Sequence, residues 1–272
     1  MKDISNLKKH LENVYAKALN KQPSDREVEI LAEVNALWQT VIPDPYYKYS
    51  INHFNGHSDD NTLKLLTKDV ALTAKKKFVE YCWGKDFDLN DDVHDALIMT
   101  QKSIMDRRFR EGKNVIIYAP TSKESLPPNL LENKMGHLRN QRGRTMIAAL
   151  IMKEAIRLRY SPGHRMHGYD WIEYPVLKSM LTEDKASLNM QRAADWLVVD
   201  DINLESSSPA AMSYISSVVD PFFISRVRDG LPTIFVFRFD VNKEILNIEK
   251  SLGVAVHRIV NDPKTHVISL GD

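Results

Sequence analysis

Two adjacent carboxylates, Asp200 and Asp201, directly follow an apolar run at residues 196–199. An unbroken apolar run of this kind predicts a strand that is buried on both faces of a parallel sheet. Ligands of open α/β sheets bind just beyond the carboxyl ends of strands, where both acids would lie. This is the Walker B arrangement of nucleotide-binding proteins, in which the first acid holds Mg²⁺ and the second can polarise an attacking water. A strand that ends in solvated acids is the alternative interpretation.

A degenerate phosphate-binding loop precedes a helix predicted to start at Thr145. A P-loop needs a glycine-rich turn whose backbone amides bind phosphates, then a lysine and a hydroxyl that reaches Mg²⁺. Gly143, Arg144 and Thr145 are in register with its last three residues, but Leu138 stands where the first glycine would be. The planar guanidinium of Arg144 does not place its charge as a compact ammonium does.

Judged by its pattern alone this is a failed P-loop, although Thr145 could still reach a metal, and a nucleotide site stays one of two interpretations. The predicted ligands are Gly143, Arg144, Thr145 and Asp200, with Thr145 and Asp200 on the metal. A helix N-terminus behind a long surface loop is the alternative. The expected cofactor is ATP or ADP with Mg²⁺, or none if the site no longer binds a nucleotide.

Alternating elements position this site. Apolar patterning predicts strands at 114–118, 169–174, 196–202, 233–237 and 266–270, and helices that include 63–81, 91–110, 145–158, 209–228 and 241–251. Such alternation predicts right-handed βαβ units and a mainly parallel sheet with helices on both faces. Met180, Met190 and Met212 fall in apolar stripes and are predicted to lie in the core.

Composition excludes several classes of protein. The 272 residues carry a net charge of +1, so no global field draws the chain to nucleic acid or membrane. The one cysteine, Cys82, excludes an internal disulfide and a cysteine-built zinc site. No apolar run approaches the ~20 residues of a membrane span. We therefore expect a cytoplasmic protein without a membrane partner.

The first forty residues carry two apolar stripes with helical spacing. Ser24 and Glu27 form a capping-box pattern before the second stripe, and Pro43 and Pro45 would end that helix. Such a helical pair buries little core by itself, so it must pack on a partner or on the rest of the chain. We predict a helical partner-binding module at 1–44, a linker at 45–62 and an α/β domain at 63–272.

The order of strand, long loop, Gly143-Arg144-Thr145 helix and Asp200-Asp201 strand resembles the AAA+ domain of DnaC/DnaI-type helicase loaders and the related IstB transposition ATPases. The matching stretches are 143–159, 193–202, 227–234 and 252–259, within a resemblance that covers about 49–272. The resemblance implies an α/β, AAA+-type P-loop three-layer sandwich without a lid domain, preceded by a small helical module.

The resemblance also implies catalytic positions, and this chain departs from several of them. Asp201 stands where the family usually has a glutamate, and Arg238 stands at a sensor position that is often asparagine. Arg258 is the remaining candidate for an arginine finger. Together with Arg144 in place of lysine, these departures predict weak or absent ATP hydrolysis, so enzyme status is left open.

A basic stretch precedes the helix at Thr145. Lys134, Arg139 and Arg142 could hold the backbone of single-stranded DNA. Binding to that backbone requires positive charge and does not require contacts to base edges. A solvated basic loop is the alternative.

The resemblance implies a replication accessory protein that binds a hexameric replicative helicase through about 1–38 and helps place it on single-stranded DNA. The alternatives are a DNA-dependent ATPase of the transposition type and a non-enzymatic interaction protein. Self-association is left open, and the degenerate motifs favour a phage or mobile element as the source.

Overall fold

The structure is a computed structural model that describes residues 25–44, 46, 68–83, 113–119, 143–158, 168–183, 188–204 and 209–270. The strands are β1 (Val115–Tyr118), β2 (Tyr169–Glu173), β3 (Trp196–Ile202), β4 (Thr233–Phe237) and β5 (His266–Ser269). The helices are α1 (Asp25–Val41), α2 (Lys68–Trp83), α3 (Arg144–Leu158), α4 (Tyr174–Glu183), α5 (Asn189–Ala193), α6 (Pro209–Tyr214), α7 (Asp220–Arg228), α8 (Ile245–Leu252) and α9 (Val254–Asn261). A π-helical segment, Ile215–Val219, joins α6 to α7.

The strands form one parallel sheet in the order β2-β3-β4-β1-β5. Strand β1 lies between two strands that come later in the chain, β4 and β5, so that Val115 is opposite both Ile234 and His266. Such parallel pairs require crossover connections, which helices supply. The predicted α/β class and parallel sheet are confirmed.

Helices cover both faces of the sheet because successive strand residues point to opposite sides. On one face Ile117 and Val198 pack with α1, α2 and α3. On the other face Ile116, Leu197 and Phe235 pack with α4 and with α7 to α9. The result is a three-layer arrangement in which strands β1, β3 and β4 of the middle layer are almost entirely buried, whereas the edge strands β2 and β5 are partly exposed.

Helix α1 packs on α3 and shares its core. The indole Nε1 of Trp38 donates a 3.2 Å hydrogen bond to the carbonyl oxygen of Lys153, and the Lys153 ammonium lies 4.8 Å from the centre of the Trp38 ring. Burial lowers the pKa of Lys153 to about 8. Val34 and Ile42 are buried in the same cluster. The second stripe of the N-terminal region therefore packs on the rest of the chain, while the partner-binding role of 1–44 stays a prediction.

The predicted helix at 209–228 is continuous in space but changes its hydrogen-bond register. The backbone N–H of Asp220 donates to the carbonyl of Ile215, five residues back. Pro221 follows and has no N–H with which to continue an α-helical ladder, so the helix is widened before it and resumes as α7.

Three other sequence predictions differ from the structure. The helix expected from residue 241 begins only at Ile245, and a further helix, α9, follows Gly253. Met190 and Met212 were predicted to lie in the core, and this is wrong, since they are 75% and 43% exposed. Met190 belongs to a five-residue helix that is too short to turn one stripe fully inward.

The predicted helix at 91–110 and the first N-terminal stripe lie outside the described residues, as does the predicted linker apart from Tyr46. None of the helices in the described ranges combines the length and the apolar character that crossing a bilayer requires.

Candidate nucleotide-binding site

Gly143 forms the turn into α3. Its φ of 78° lies in the left-handed region that disfavours other residues, and its carbonyl accepts a 2.9 Å hydrogen bond from the backbone N–H of Ile147. A Cβ at this position would lie only 3.1 Å from the Cβ of Ala74 on α2. Gly143 therefore lets the chain turn tightly against α2, and the helix N-terminus that follows carries backbone N–H groups suited to an anion.

Thr145 and Asp200 meet at the carboxyl end of β3. Trp196, Val198 and Asp200 alternate along β3, so their side chains lie on the same face of the sheet. Trp196 and Val198 belong to the core on the side that α3 covers. The Thr145 hydroxyl donates to Asp200 Oδ1 at 3.4 Å, and the two residues are only 4% and 8% exposed. A hydroxyl beside a carboxylate is the donor set that holds Mg²⁺ in P-loop proteins.

The Asp200 carboxylate is buried, and burial makes its charged form energetically unfavourable. Burial raises its pKa to about 6, and the neighbouring carboxylates of Asp201 and Glu173 add to the increase. The Thr145 hydroxyl and a 2.7 Å hydrogen bond from the Asp201 backbone N–H act in the opposite direction. At neutral pH the group is therefore ionised in a buried position, and a bound cation would relieve that cost. The metal-binding half of the site thus fits Mg²⁺.

Arg144 contacts the end of β4. Its Nη1 donates a 2.6 Å hydrogen bond to the carbonyl oxygen of Phe237, and the residue is 4% exposed. This hydrogen bond uses one of the five N–H donors of the guanidinium and holds the group at the end of β4. Arg144 is therefore less suited to binding a phosphate than Thr145 and Asp200 are to binding Mg²⁺.

Asp201 and Arg238 form an ion pair beside this site. Asp201 has a φ of 63°, and the β3–β4 register is irregular between Val199 and Ile202. Beyond that irregularity the Arg238 backbone N–H donates to the Ile202 carbonyl at 2.8 Å. The local bulge thus separates two neighbouring acids, since Asp200 accepts from Thr145 and Asp201 pairs with Arg238.

The remaining predicted site residues are not brought to this cluster. Arg258 is exposed in the last turn of α9, and its side chain forms no hydrogen bond or ion pair with the part of the chain that the structure describes. Lys134, Arg139 and Arg142, predicted to bind DNA, lie outside the described residues. Their roles stay predictions.

Two contributors to the site carried no signal that the sequence analysis used. The carbonyl of Phe237 is a main-chain acceptor. Every residue has such a carbonyl, so the sequence does not show that this one contacts Arg144. Glu173 ends β2, opposite Asp200 in the register of the sheet. An acid at the end of a second parallel strand could have indicated it, because these strand ends lie at one edge.

Solved structures with a similar chain path include a DnaC helicase loader, at 14% identity and a TM-score of 0.44 over 84% of this chain and 99% of that one. Another is DnaI, at 18% identity and a TM-score of 0.40 over 72% of this chain and 90% of that one. These are the names that the sequence resemblance predicted. No protein-family model and no protein of curated function matches the sequence significantly.

Proposed function

We propose that this protein is a replication accessory protein of the helicase-loader type, which binds a nucleotide with Mg²⁺ but hydrolyses it weakly or not at all. In this role it binds a hexameric replicative helicase and helps place it on single-stranded DNA. The observation that carries the nucleotide site is the buried contact between Thr145 Oγ1 and Asp200, directly behind the turn at Gly143.

The chemistry of binding follows from these residues. Thr145 and Asp200 would hold Mg²⁺, which when bound neutralises charge on the phosphates. The first backbone N–H groups of α3 would bind phosphate oxygens, helped by the positive end of the helix dipole. The positive φ of Gly143 is not helical, so α3 begins directly after this residue.

Weak hydrolysis follows from the two arginines. Arg144 donates to the Phe237 carbonyl, and Arg238 pairs with Asp201, the acid available to activate a water. Charge that is engaged by the protein stabilises a transition state less than charge aimed at the reacting phosphate. The same engagement of Arg144 favours a second candidate, an interaction protein that binds no nucleotide.

Calorimetric titration of ATP and ADP separates these candidates. With Mg²⁺ we expect micromolar affinity in the original protein, strong loss in Asp200→Asn and Thr145→Val, and retention in Thr145→Ser, which keeps the hydroxyl. EDTA should weaken binding in the original protein. No heat with Mg²⁺ at millimolar nucleotide would refute the nucleotide site and favour the interaction protein.

The helicase role has its own test. Because α1 shares the core with α3, we would remove only residues 1–24 and leave Val34, Trp38 and Ile42 in place. We expect the shortened protein to remain folded, as judged by circular dichroism, and to lose co-elution with a hexameric replicative helicase. Continued co-elution would move the contact out of the N-terminal segment.

The proposed binding of single-stranded DNA is tested by measuring how its affinity depends on salt concentration. Replacing Lys134, Arg139 and Arg142 by glutamine should lower affinity for single-stranded DNA and flatten its dependence on salt concentration, because fewer counterions are released. An unchanged slope in the triple variant would remove these residues as DNA ligands. Transposition-type activity would instead appear as DNA-stimulated ATP turnover in the original protein.

A further inference from the structure

We infer that a groove between α6 and α8 is a docking site for another protein, which inserts an apolar side chain there beside a basic one. The groove has a volume of about 470 Å³, and its walls are α6 with the π-helical segment on one side and α8 with the start of α9 on the other. This inference goes beyond the proposed function, because it concerns neither the nucleotide site nor the N-terminal segment.

Asp220 forms the floor of the groove and is 6% exposed. Its carboxylate accepts hydrogen bonds of 3.1 and 3.0 Å from the backbone N–H groups of Val254 and Ala255, the first residues of α9. Gly253 allows this approach, since a Cβ at that position would clash with the carboxylate. The backbone N–H of Asp220 also closes the π-helical segment by donating to the Ile215 carbonyl. Asp220 therefore connects the two walls, so the groove is preformed and a partner has little structure to order on binding.

Three large apolar side chains line this groove although they are in contact with solvent. Met212, Leu246 and Val254 are 43%, 81% and 38% exposed, and they come from three different helices. The core does not require Leu246, because Ile248 and Leu252 supply the buried face of α8. Single exposed apolar residues are common on protein surfaces, whereas three that converge on one groove are typical of an interaction site.

The charges that line the groove select the chemistry of the partner. They are two acids, Asp220 and Glu249, and one base, Lys250. Both oxygens of the Asp220 carboxylate already accept backbone N–H groups, so Glu249, whose side chain is 55% exposed, is the acid that a partner can reach. Its Oε2 lies 3.9 Å from Nδ1 of His257, which is too far for a hydrogen bond. The excess of acid disfavours nucleic-acid phosphates and anionic lipid head groups and favours a lysine or arginine on the partner.

The apolar walls and the acid together define the occupant. An exposed ion pair contributes little free energy, so the apolar contacts must supply most of the affinity and Glu249 most of the selectivity. Leu246 projects from the rim into solvent, as at a protein docking surface and unlike the lining of an enclosed small-molecule pocket. The occupant is therefore a segment of another protein that carries leucine-like and basic side chains next to each other.

Fluorescence anisotropy with two labelled synthetic peptides tests this assignment on the full-length protein. The peptides have equal lengths and carry leucines at helical spacing, with arginine beside the leucines in one peptide and glutamate in the other. We expect the arginine peptide to bind saturably and the glutamate peptide to bind at least about tenfold more weakly, because like charges at Glu249 repel.

Three variants locate the contact. Leu246→Ser should weaken binding of the arginine peptide at least about fivefold, because it removes the apolar contact. Glu249→Gln should weaken it about two- to fivefold and flatten its dependence on salt concentration. Ile224→Ser is the matched control, since Ile224 is 52% exposed on α7 and does not line the groove, and it should bind as the original protein does. Circular dichroism checks that all three variants are folded.

Failure of the arginine peptide to bind, or equal affinities of Leu246→Ser and the original protein, would overturn the docking site. Equal losses in Leu246→Ser and Ile224→Ser would also overturn it, since the peptide would then recognise exposed apolar surface in general. Sedimentation velocity examines a second copy of this chain as the occupant. Self-association that Leu246→Ser abolishes would overturn the assignment to another protein. These measurements need no nucleotide, so their failure is distinguishable from failure of the proposed function.

Discussion

Trp38 and Lys153 contact each other twice, through a 3.2 Å hydrogen bond from the indole to a main-chain carbonyl and through an ammonium 4.8 Å from the ring centre. Lys153 belongs to α3, the helix that begins with Arg144 and Thr145. The contact therefore attaches the N-terminal helix α1 to the element that carries the candidate nucleotide site.

The first prediction concerns this attachment. Trp38→Ala removes the ring and the donor together and should lower the free energy of unfolding by about 2–3 kcal/mol, since the side chain is only partly buried. Trp38→Phe keeps most of the apolar surface and should cost about 1 kcal/mol. Urea denaturation measures both. Thr40→Ala, on an exposed site of the same helix, is the control and should change little.

The second prediction is a pH dependence at Asp200. Its folded pKa is about 6 against an ordinary value of 3.8, so between these values the folded protein binds more protons than the unfolded chain. Stability contributed by this group is therefore lost as pH rises through that window and stays lost above it. Asp200→Asn, which has no charge to bury, should stabilise the nucleotide-free protein by up to about 3 kcal/mol at pH 7.5.

Urea denaturation at two pH values checks the sign. The gain should fall to about half by pH 5, where much of the original carboxyl is already protonated in the folded protein. Asp229→Asn is the control, because its exposed carboxylate pairs with Arg228, which lowers its pKa, and no gain is expected there. A loss of stability in Asp200→Asn at pH 7.5 would contradict the proposed electrostatic cost.

The third prediction concerns Arg226, which is 1% exposed. Its guanidinium donates to the carbonyls of Gln191, Arg192, Ala194 and Pro232 and to the hydroxyl of Thr233. Burial lowers its pKa to about 10, although Asp195 and Asp170 oppose that shift. Arg226→Lys keeps the charge but cannot reach these acceptors together, so it should cost about 3 kcal/mol.

Thermal unfolding followed by circular dichroism measures this loss. Arg228→Lys, two residues away on the same helix, is the matched control. Arg228 is exposed, and within the described part of the chain its guanidinium pairs with the adjacent Asp229, so the melting temperature of Arg228→Lys should not differ measurably from that of the original protein. Similar melting temperatures for the two variants would contradict the role assigned to Arg226.

The fourth prediction compares two glycines of positive φ. Gly253 has a φ of 97°, and a Cβ there would clash with the Asp220 carboxylate, which accepts 3.1 and 3.0 Å hydrogen bonds from the first backbone N–H groups of α9. Gly230 has a φ of 67° and no atom within 4 Å of a built Cβ. Gly230→Ala should cost about 1–2 kcal/mol from the backbone alone.

Gly253→Ala should cost clearly more, because the Asp220 cap must also move, and loss of a cap adds about 1 kcal/mol. Urea denaturation of the two variants measures the difference. Equal losses of unfolding free energy in the two variants would show that the Asp220 carboxylate can move aside without destabilising the protein. Only the backbone conformation would then matter at Gly253.

Local patterns predicted those parts of the fold that depend on short stretches of sequence. The strand at 233–237 has the predicted bounds, and the strand before Asp200 and the helix at Thr145 lie where apolar periodicity placed them. The P-loop and Walker B patterns assigned Thr145 and Asp200 to one metal ion, and the two side chains are in contact in the structure.

Other features depend on contacts between distant residues and had no local signal. Arg144 and Phe237 are 93 residues apart, and Trp38 and Lys153 are 115 residues apart. The ion pair of Asp201 with Arg238 depends on the bulge in β3, and no residue type in that strand predicts a bulge. The exposure of Met190 likewise depends on how short α5 is and on what lies beside it.

The position of β1 has a consequence for how the chain is made. Both partners of this strand, β4 and β5, lie more than a hundred residues later in the sequence, as the pairing of Val115 with Ile234 and His266 shows. Closing such long loops is slow compared with local helix formation. During synthesis β1 therefore remains unpaired until β4 (Thr233–Phe237) has left the ribosome, so the sheet that supports Asp200 and Arg238 is completed late.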